Sequence, residues 1–219
     1  MEIKPRTREE IYGPALAKAV RDLQALDPWL AAVRSGVTYR WFTATTGQFE
    51  VKFWDKDYLV NYPQAAVREA KSGQEPSIVV QIIILHYLIH ADGTPPANYW
   101  VSFHELPGGR AYYPAFQARA NSRLARAFGN DLEGFVAAAE ALGGERLTYG
   151  DASFLFRILP RLWMAVVLHL ADEEFPPSAN VLFDATAANY LPMEDLAVLG
   201  GMLTNQLLKK KRASMQTQS

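Results

Sequence analysis

Apolar and polar residues change their spacing several times along the chain, and each change marks an element. Between Thr7 and Val33, apolar Ile11, Ala15, Leu16, Ala19, Leu23 and Leu26 recur at helical spacing. Glu9 and Glu10 stand near the start of that stretch, where the helix dipole favours them. Pro28 interrupts the helix, Trp29-Leu30 begins a further short turn, and Gly36 marks the exit. From Tyr39 to Tyr62 the period becomes two. Gln48-Phe-Glu-Val-Lys-Phe-Trp54 alternates as a half-buried strand does, Asp55-Lys56-Asp57 supplies a turn, and Tyr58–Tyr62 returns beside it. With Tyr39–Thr43 these segments predict a small antiparallel meander, and Pro63 to Lys71 is expected to be a short helix.

The most apolar stretch follows, Ile78 to Ala91, entered through Pro76 and Ser77 and ended by Asp92-Gly93-Thr94-Pro95-Pro96. Its β-branched run favours a strand, whereas its length exceeds an ordinary strand and suits a buried helix. We read it as a helix, with Ser77 available as its cap. Tyr99 to Phe103 predicts another strand, closed by a turn at Leu106-Pro-Gly-Gly109. Pro114 to Phe128 predicts one helix, with Phe116, Ala120, Leu124 and Phe128 on a single face, and Asp131 to Leu142 a second. Ala152–Leu159 and Leu162–Leu170 read as paired strands, and Val181–Phe183 as a short one. A helix from Pro192 to Leu208 closes the fold, and residues 209–219, a basic and polar tail, are expected to fray.

No repeat or linker interrupts this order, so the pattern predicts a single α+β domain over residues 1–208. Its sheet, mixed or antiparallel, is expected to hold about five to seven strands with helices packed on it. Composition narrows the picture further. Of 219 residues 49% are hydrophobic and 12% aromatic, enough to build a large core. Net charge is −1, so no global field draws nucleic acid or an anionic membrane, and no nucleic-acid partner is expected. There is no cysteine, which excludes disulfides, thiolate catalysis and iron–sulfur ligation by this chain. The apolar run from Ile78 to Ala91 falls short of the ~20 residues a membrane helix needs, so no membrane insertion is expected. The first ten residues are charged and lack the apolar core of a signal peptide, and a cytoplasmic location is expected by elimination.

Two of the four histidines, His86 and His90, fall inside that apolar run. On a helix their Cβ atoms lie ~6 Å apart on one face, close enough for both rings to grip one metal ion. On a strand they would lie ~13 Å apart. One account makes one ring a core histidine bonded to a carbonyl and the other an end residue favoured by the helix dipole. The other makes the pair a ligand set. Zinc would then need a third ligand from His104, His169, Asp172 or Glu173. A heme or corrinoid needs one axial imidazole and an aromatic cavity, for which Tyr99, Trp100, Phe103, Tyr112 and Tyr113 are the candidate walls. Arg119 and Arg123, in a row with Arg126, would meet its acidic groups or simply face water.

His104-Glu105 resembles the start of a metalloprotease signature, but Gly108 stands where the second histidine belongs. His169, before Asp172-Glu173-Glu174, suits acid–base chemistry or a solvated turn. Asp184 suits a strand-end functional carboxylate or a cap of the next turn. There is no Gly-rich phosphate loop, no Gly-x-Ser-x-Gly elbow and no dinucleotide fingerprint, which disfavours the common nucleotide, hydrolase and NAD chemistries.

Two passages are more specific than their composition. They are Tyr99-Trp-Val-Ser-Phe-His-Glu-Leu-Pro-Gly-Gly-Arg-Ala-Tyr-Tyr-Pro-Ala-Phe116, and Asp172 to Asp184 together with Tyr190-Leu-Pro-Met-Glu-Asp195. From about the first helix to Leu208, the chain resembles a prokaryotic domain-of-unknown-function family, three-seven-eight-six in the usual numbering. Some members of that family are joined to iron–sulfur modules of the kind seen in corrinoid proteins, which implies a setting near corrinoid, heme or one-carbon metabolism. The absence of cysteine departs from that pattern. The expectation is therefore a small-ligand-binding or sensing domain holding heme or a corrinoid through His86 or His90. The alternatives are a metal-dependent enzyme using both histidines and an accessory factor that binds a partner protein. Self-association is left open.

Overall fold

The structure, a computed structural model, describes residues 7–217. Among the described residues it contains seven α-helices and nine strands, the strands divided between two antiparallel sheets, an α+β fold. The single sheet suggested by the pattern is thus replaced by two, of four and five strands. The chain forms two compact units.

The first unit runs to Pro95 and includes Leu159–Arg161 and Asn189–Leu191. Helix α1 (Arg8–Gln24) opens on a capping box in which Thr7 accepts from the Glu10 amide and Glu10 accepts from the Thr7 amide. Helix α2 (Pro28–Ser35) has Asp27 as its cap, proline at its start and Gly36 in the left-handed conformation at its end. Strands β1 (Thr38–Trp41), β2 (Gly47–Phe53), β3 (Lys56–Tyr62) and β4 (Val67–Glu69) follow as a meander. Their register aligns Tyr39, Phe49, Val60 and Val67 in one buried row across all four strands. Alternate positions carry exposed pairs such as Arg40–Glu50 and Lys56–Glu69, which contribute little to stability. The expected helix at Pro63–Lys71 is corrected to β4. Pairing of Val67 with Val60 outweighs the local helical preference of Gln-Ala-Ala.

Helix α3 (Ile78–His90) completes the first unit and packs against α1 and α2. Its residues Ile82, Ile83, Ile84, Leu85, Tyr87 and Leu88 are buried, so the helix is apolar around most of its circumference. Ser77 stands at the cap position without a side-chain bond. Instead, Gln81 donates from its amide side chain to the Pro76 carbonyl.

The second unit holds strands β5 (Trp100–Ser102), β6 (Glu145–Leu147), β7 (Ala152–Leu159), β8 (Leu162–His169) and β9 (Ser178–Asp184), all but Leu159 of β7 belonging to it. The spatial order is β5-β9-β8-β7-β6. Helices α4 (Gly109–Arg119), α5 (Asn121–Phe128), α6 (Leu132–Glu140) and α7 (Met193–Thr217) belong to the same unit. Phe103, Phe116 and Phe183 form one aromatic cluster, with the first two rings stacked 4.3 Å apart. Phe128, Phe135 and Phe154 form another. Gly200 lets α7 approach the first cluster, since a Cβ there would stand 2.3 Å from the Phe116 ring.

The single helix expected over Pro114–Phe128 is broken at Ala120 (φ −117°, ψ −78°). The next residue explains the break. Asn121 accepts from the Val181 amide of β9 and donates to Gln117, a side-chain arrangement that competes with a straight helix. Helix α7 continues past Leu208, through most of the segment read as a tail, to Thr217. Lys211 anchors the extension by pairing with Asp131 at 2.5 Å and lying over the Phe128 ring. The last two residues of the expected tail lie outside the described residues.

Candidate functional site

The helical state of α3 decides the geometry of the histidine pair. The rings of His86 and His90 lie 5.6 Å apart between centroids, edge to face, on successive turns. His86 is half-buried and His90 exposed, at the C-terminal turn where helix carbonyls end. The hydrogen bond from Lys18 is the largest cause that holds the Asp22 carboxyl of α1 below its ordinary value, and His86 is the smallest. Among the described residues, no group of three His, Asp or Glu side chains gathers closely enough to hold a metal ion. Any ion on the pair would therefore complete its coordination with water or an added ligand.

Tyr87, between the two histidines in sequence, serves a different end. Its hydroxyl donates to the Ser35 carbonyl at 2.6 Å and accepts from the Arg161 amide at 3.0 Å. Its ring stacks on Tyr190 at 5.6 Å, and Tyr190 in turn donates to the Thr94 carbonyl. Burial pushes the Tyr87 phenol far above its ordinary range, despite the opposing hydrogen bond from Arg161. The Arg161 guanidinium donates to the carbonyls of Arg34 and Gly93, tying the end of α2 to the segment after α3. Helix α3 is thus fixed at Tyr87 by a hydrogen-bond network, which holds the histidine turn in place.

The remaining candidates belong to the second unit. Tyr99 and Tyr112 are exposed, Trp100 and Tyr113 half-buried, and Phe103 completely buried in its stack. Arg119 is exposed and Arg123, half-buried, donates to the Arg119 carbonyl. His104 lies in a single 3-10 turn. Its Nδ1 is 2.7 Å from the Ser102 hydroxyl, which donates to Glu105. That serine proton is committed to a carboxylate whose pKa is lowered by the same bonds, so the cluster is a cap and not an activated nucleophile. Downstream of His169, Asp172 accepts from the amides of Glu174 and Phe175, which makes the acidic run a turn.

Asp184 resolves as a structural carboxylate. It is fully buried and accepts from the amides of Ala97, Asn98 and Thr186 and from the Thr186 hydroxyl. Four donors satisfy side-chain oxygens that burial would otherwise penalise. Among the described residues, no helix is long and apolar enough to cross a membrane.

Residues 27–206 match the model of a family described as Domain of unknown function (DUF3786). The chain belongs to that family. No curated protein and no solved structure matches it. The DUF3786 match covers α3, the Tyr87 network and the Asp184 turn. Tyr190 and Asp184, which lie in the more specific passages of the sequence, are positions where packing and hydrogen bonding demand the residue type. Sequence reasoning missed Tyr87 and Arg161, because their roles depend on partners distant in the chain. The lone tyrosine inside the most apolar run was the available signal, since a buried hydroxyl must find a partner.

Proposed function

We propose that this DUF3786 member is a ligand-binding domain that takes a metal-centred ligand at His86 and His90. One observation carries the reading: two imidazoles 5.6 Å apart on successive turns of a helix that Tyr87 locks into the fold. Imidazole suits iron, cobalt, nickel, copper and zinc. A heme or corrinoid would use one ring as its axial ligand, whereas a divalent ion would use both. The anchoring of α3 at Tyr87 supplies preorganisation, because a ligand arriving at the pair need not order the helix first. The reading rests on the pair and not on an aromatic wall, since Phe103 is committed to its own stack.

The test is an absorption spectrum and elemental analysis of freshly purified full-length protein, followed by separate additions of heme, a cobalamin and zinc. A Soret or corrin band shift, or zinc retained at one equivalent, each lost in His86→Ala, supports the reading. Absence of saturable binding for all three sinks it.

A second reading, a noncatalytic accessory factor that docks on a partner protein, draws on α2. There Trp29, Leu30 and Val33 are 56%, 45% and 52% exposed, more apolar surface than one short helix usually leaves in water. A partner co-purifying at fixed ratio, released by Trp29→Ala, would favour that reading over the first.

A further inference from the structure

We infer that the cleft between the α4–α5 joint and the start of β9 is a second ligand site, for a small molecule bearing a carboxylate or phosphate group. It lies wholly within the second unit and does not depend on the histidine pair. It is an open surface cleft of about 340 Å³, with Ser122, Arg126 and Ser178 exposed. Its polar lining comprises Gln117, Asn121, Ser122, Arg126, Ser178 and Asn180.

The cleft exists because β5 is short. β5 pairs only with Leu182, Phe183 and Asp184, so the beginning of β9 has no strand on that side. Asn121 fills in for one, taking the Val181 amide proton that a longer β5 would have taken. The residue is 4% exposed, and its two bonds fix both walls. Its amide donates to the Gln117 side-chain oxygen, which orients that side chain, and the Gln117 nitrogen is a donor.

The lining carries a single charged residue, the exposed Arg126. No carboxylate lines the cleft, and Arg126 supplies a positive charge. Among the described residues, nothing accepts from the Arg126 guanidinium, and no bond engages the Ser122 and Ser178 hydroxyls or the Asn180 side chain. A guanidinium, an amide nitrogen and two hydroxyls together offer donors to an oxygen-rich anion, and the guanidinium fork matches a carboxylate or phosphate edge. The same set disfavours a cation by charge. Of the arginine row Arg119, Arg123 and Arg126, the structure selects the third.

The experiment is calorimetric titration of the full-length protein at constant ionic strength, with inorganic phosphate in one arm and succinate in the other. Sodium chloride serves as the control for bulk ionic effects. Wild type is expected to bind at least one of the two saturably. Arg126→Ala, and Arg126→Gln as a check against a folding defect, should each weaken it by about tenfold or more. Arg119→Ala, off the cleft, should bind as wild type does. Binding of phosphate alone or succinate alone identifies the anion class. No saturable binding in either arm, or equal binding by the Arg126 variants, overturns the proposal. A variant with both His86 and His90 replaced by alanine should keep this affinity, so the outcome is separable from that of the histidine site.

Discussion

Consecutive residues of α3 are put to opposite uses. Tyr87 is fully buried, with its hydroxyl bonded on both sides and its ring stacked on Tyr190. His86, one position earlier, is half-buried beside the exposed His90 and close to the charged pair Lys18–Asp22. A helix turns by about 100° per residue, so neighbours in sequence reach different surroundings. The contrast separates a residue spent on packing from the pair proposed to bind a ligand. Polar groups on its packed side must be satisfied within the fold, as Tyr87 is, whereas the proposed ligand would meet the helix at the histidine turn.

Substitutions should separate the two sides by the kind of effect as well as its size. Tyr87→Ala is expected to cost the most, about 3–5 kcal/mol, by opening a large cavity in the core. Denaturant unfolding would check this, and a loss no greater than a surface change would break the contrast. Asp184→Ala, the equivalent test of a saturated polar group in the second unit, should cost about 2–3 kcal/mol because three amides lose their acceptor. Tyr87→Phe keeps the ring and removes only the two hydrogen bonds, so about 1–2 kcal/mol is expected. Replacing both His86 and His90 by alanine should cost about 1 kcal/mol or less in stability yet abolish metal or heme binding. Loss of stability and binding together would place the histidines with Tyr87.

The smallest effect concerns pH at the Lys211–Asp131 contact. The hydrogen bond from Lys211 is the main cause that lowers the Asp131 carboxyl below its ordinary 3.8, against the opposing effect of burial. Its contribution is therefore complete above 3.8 and is lost as pH falls through the depressed value. Because Asp131 is substantially exposed, the gain is about 0.5 kcal/mol or less. Unfolding of wild type and Lys211→Met should differ most at neutral pH and converge in acid, and a difference that grows in acid would contradict the pairing.

Much of the fold is legible in the residues themselves. The alternation of Gln48–Trp54 announces β2, and the length of Ile78–Ala91 selects a helix over a strand despite its β-branched content. What escaped depends on distant partners. Val67 makes β4 only because Val60 lies opposite, and Ala120 breaks a continuous amphipathic stripe because Asn121 reaches a strand 60 residues away. The same limit applies to the sites. The four-residue spacing gives the histidine geometry directly, whereas nothing in the row Arg119, Arg123 and Arg126 tells which one lines a cleft. The position of β9 makes that choice.

The central claim, that the open turn of α3 is a metal-binding turn on a fixed scaffold, is tested most directly by titrating full-length protein with cobalt(II). The visible d–d absorption would be followed in wild type and in the His86→Ala/His90→Ala variant. Saturation at one equivalent in wild type, with a spectrum showing nitrogen ligation and no such binding in the variant, is the result predicted. An unchanged aqueous cobalt spectrum in wild type, or the same binding in the variant, would contradict it.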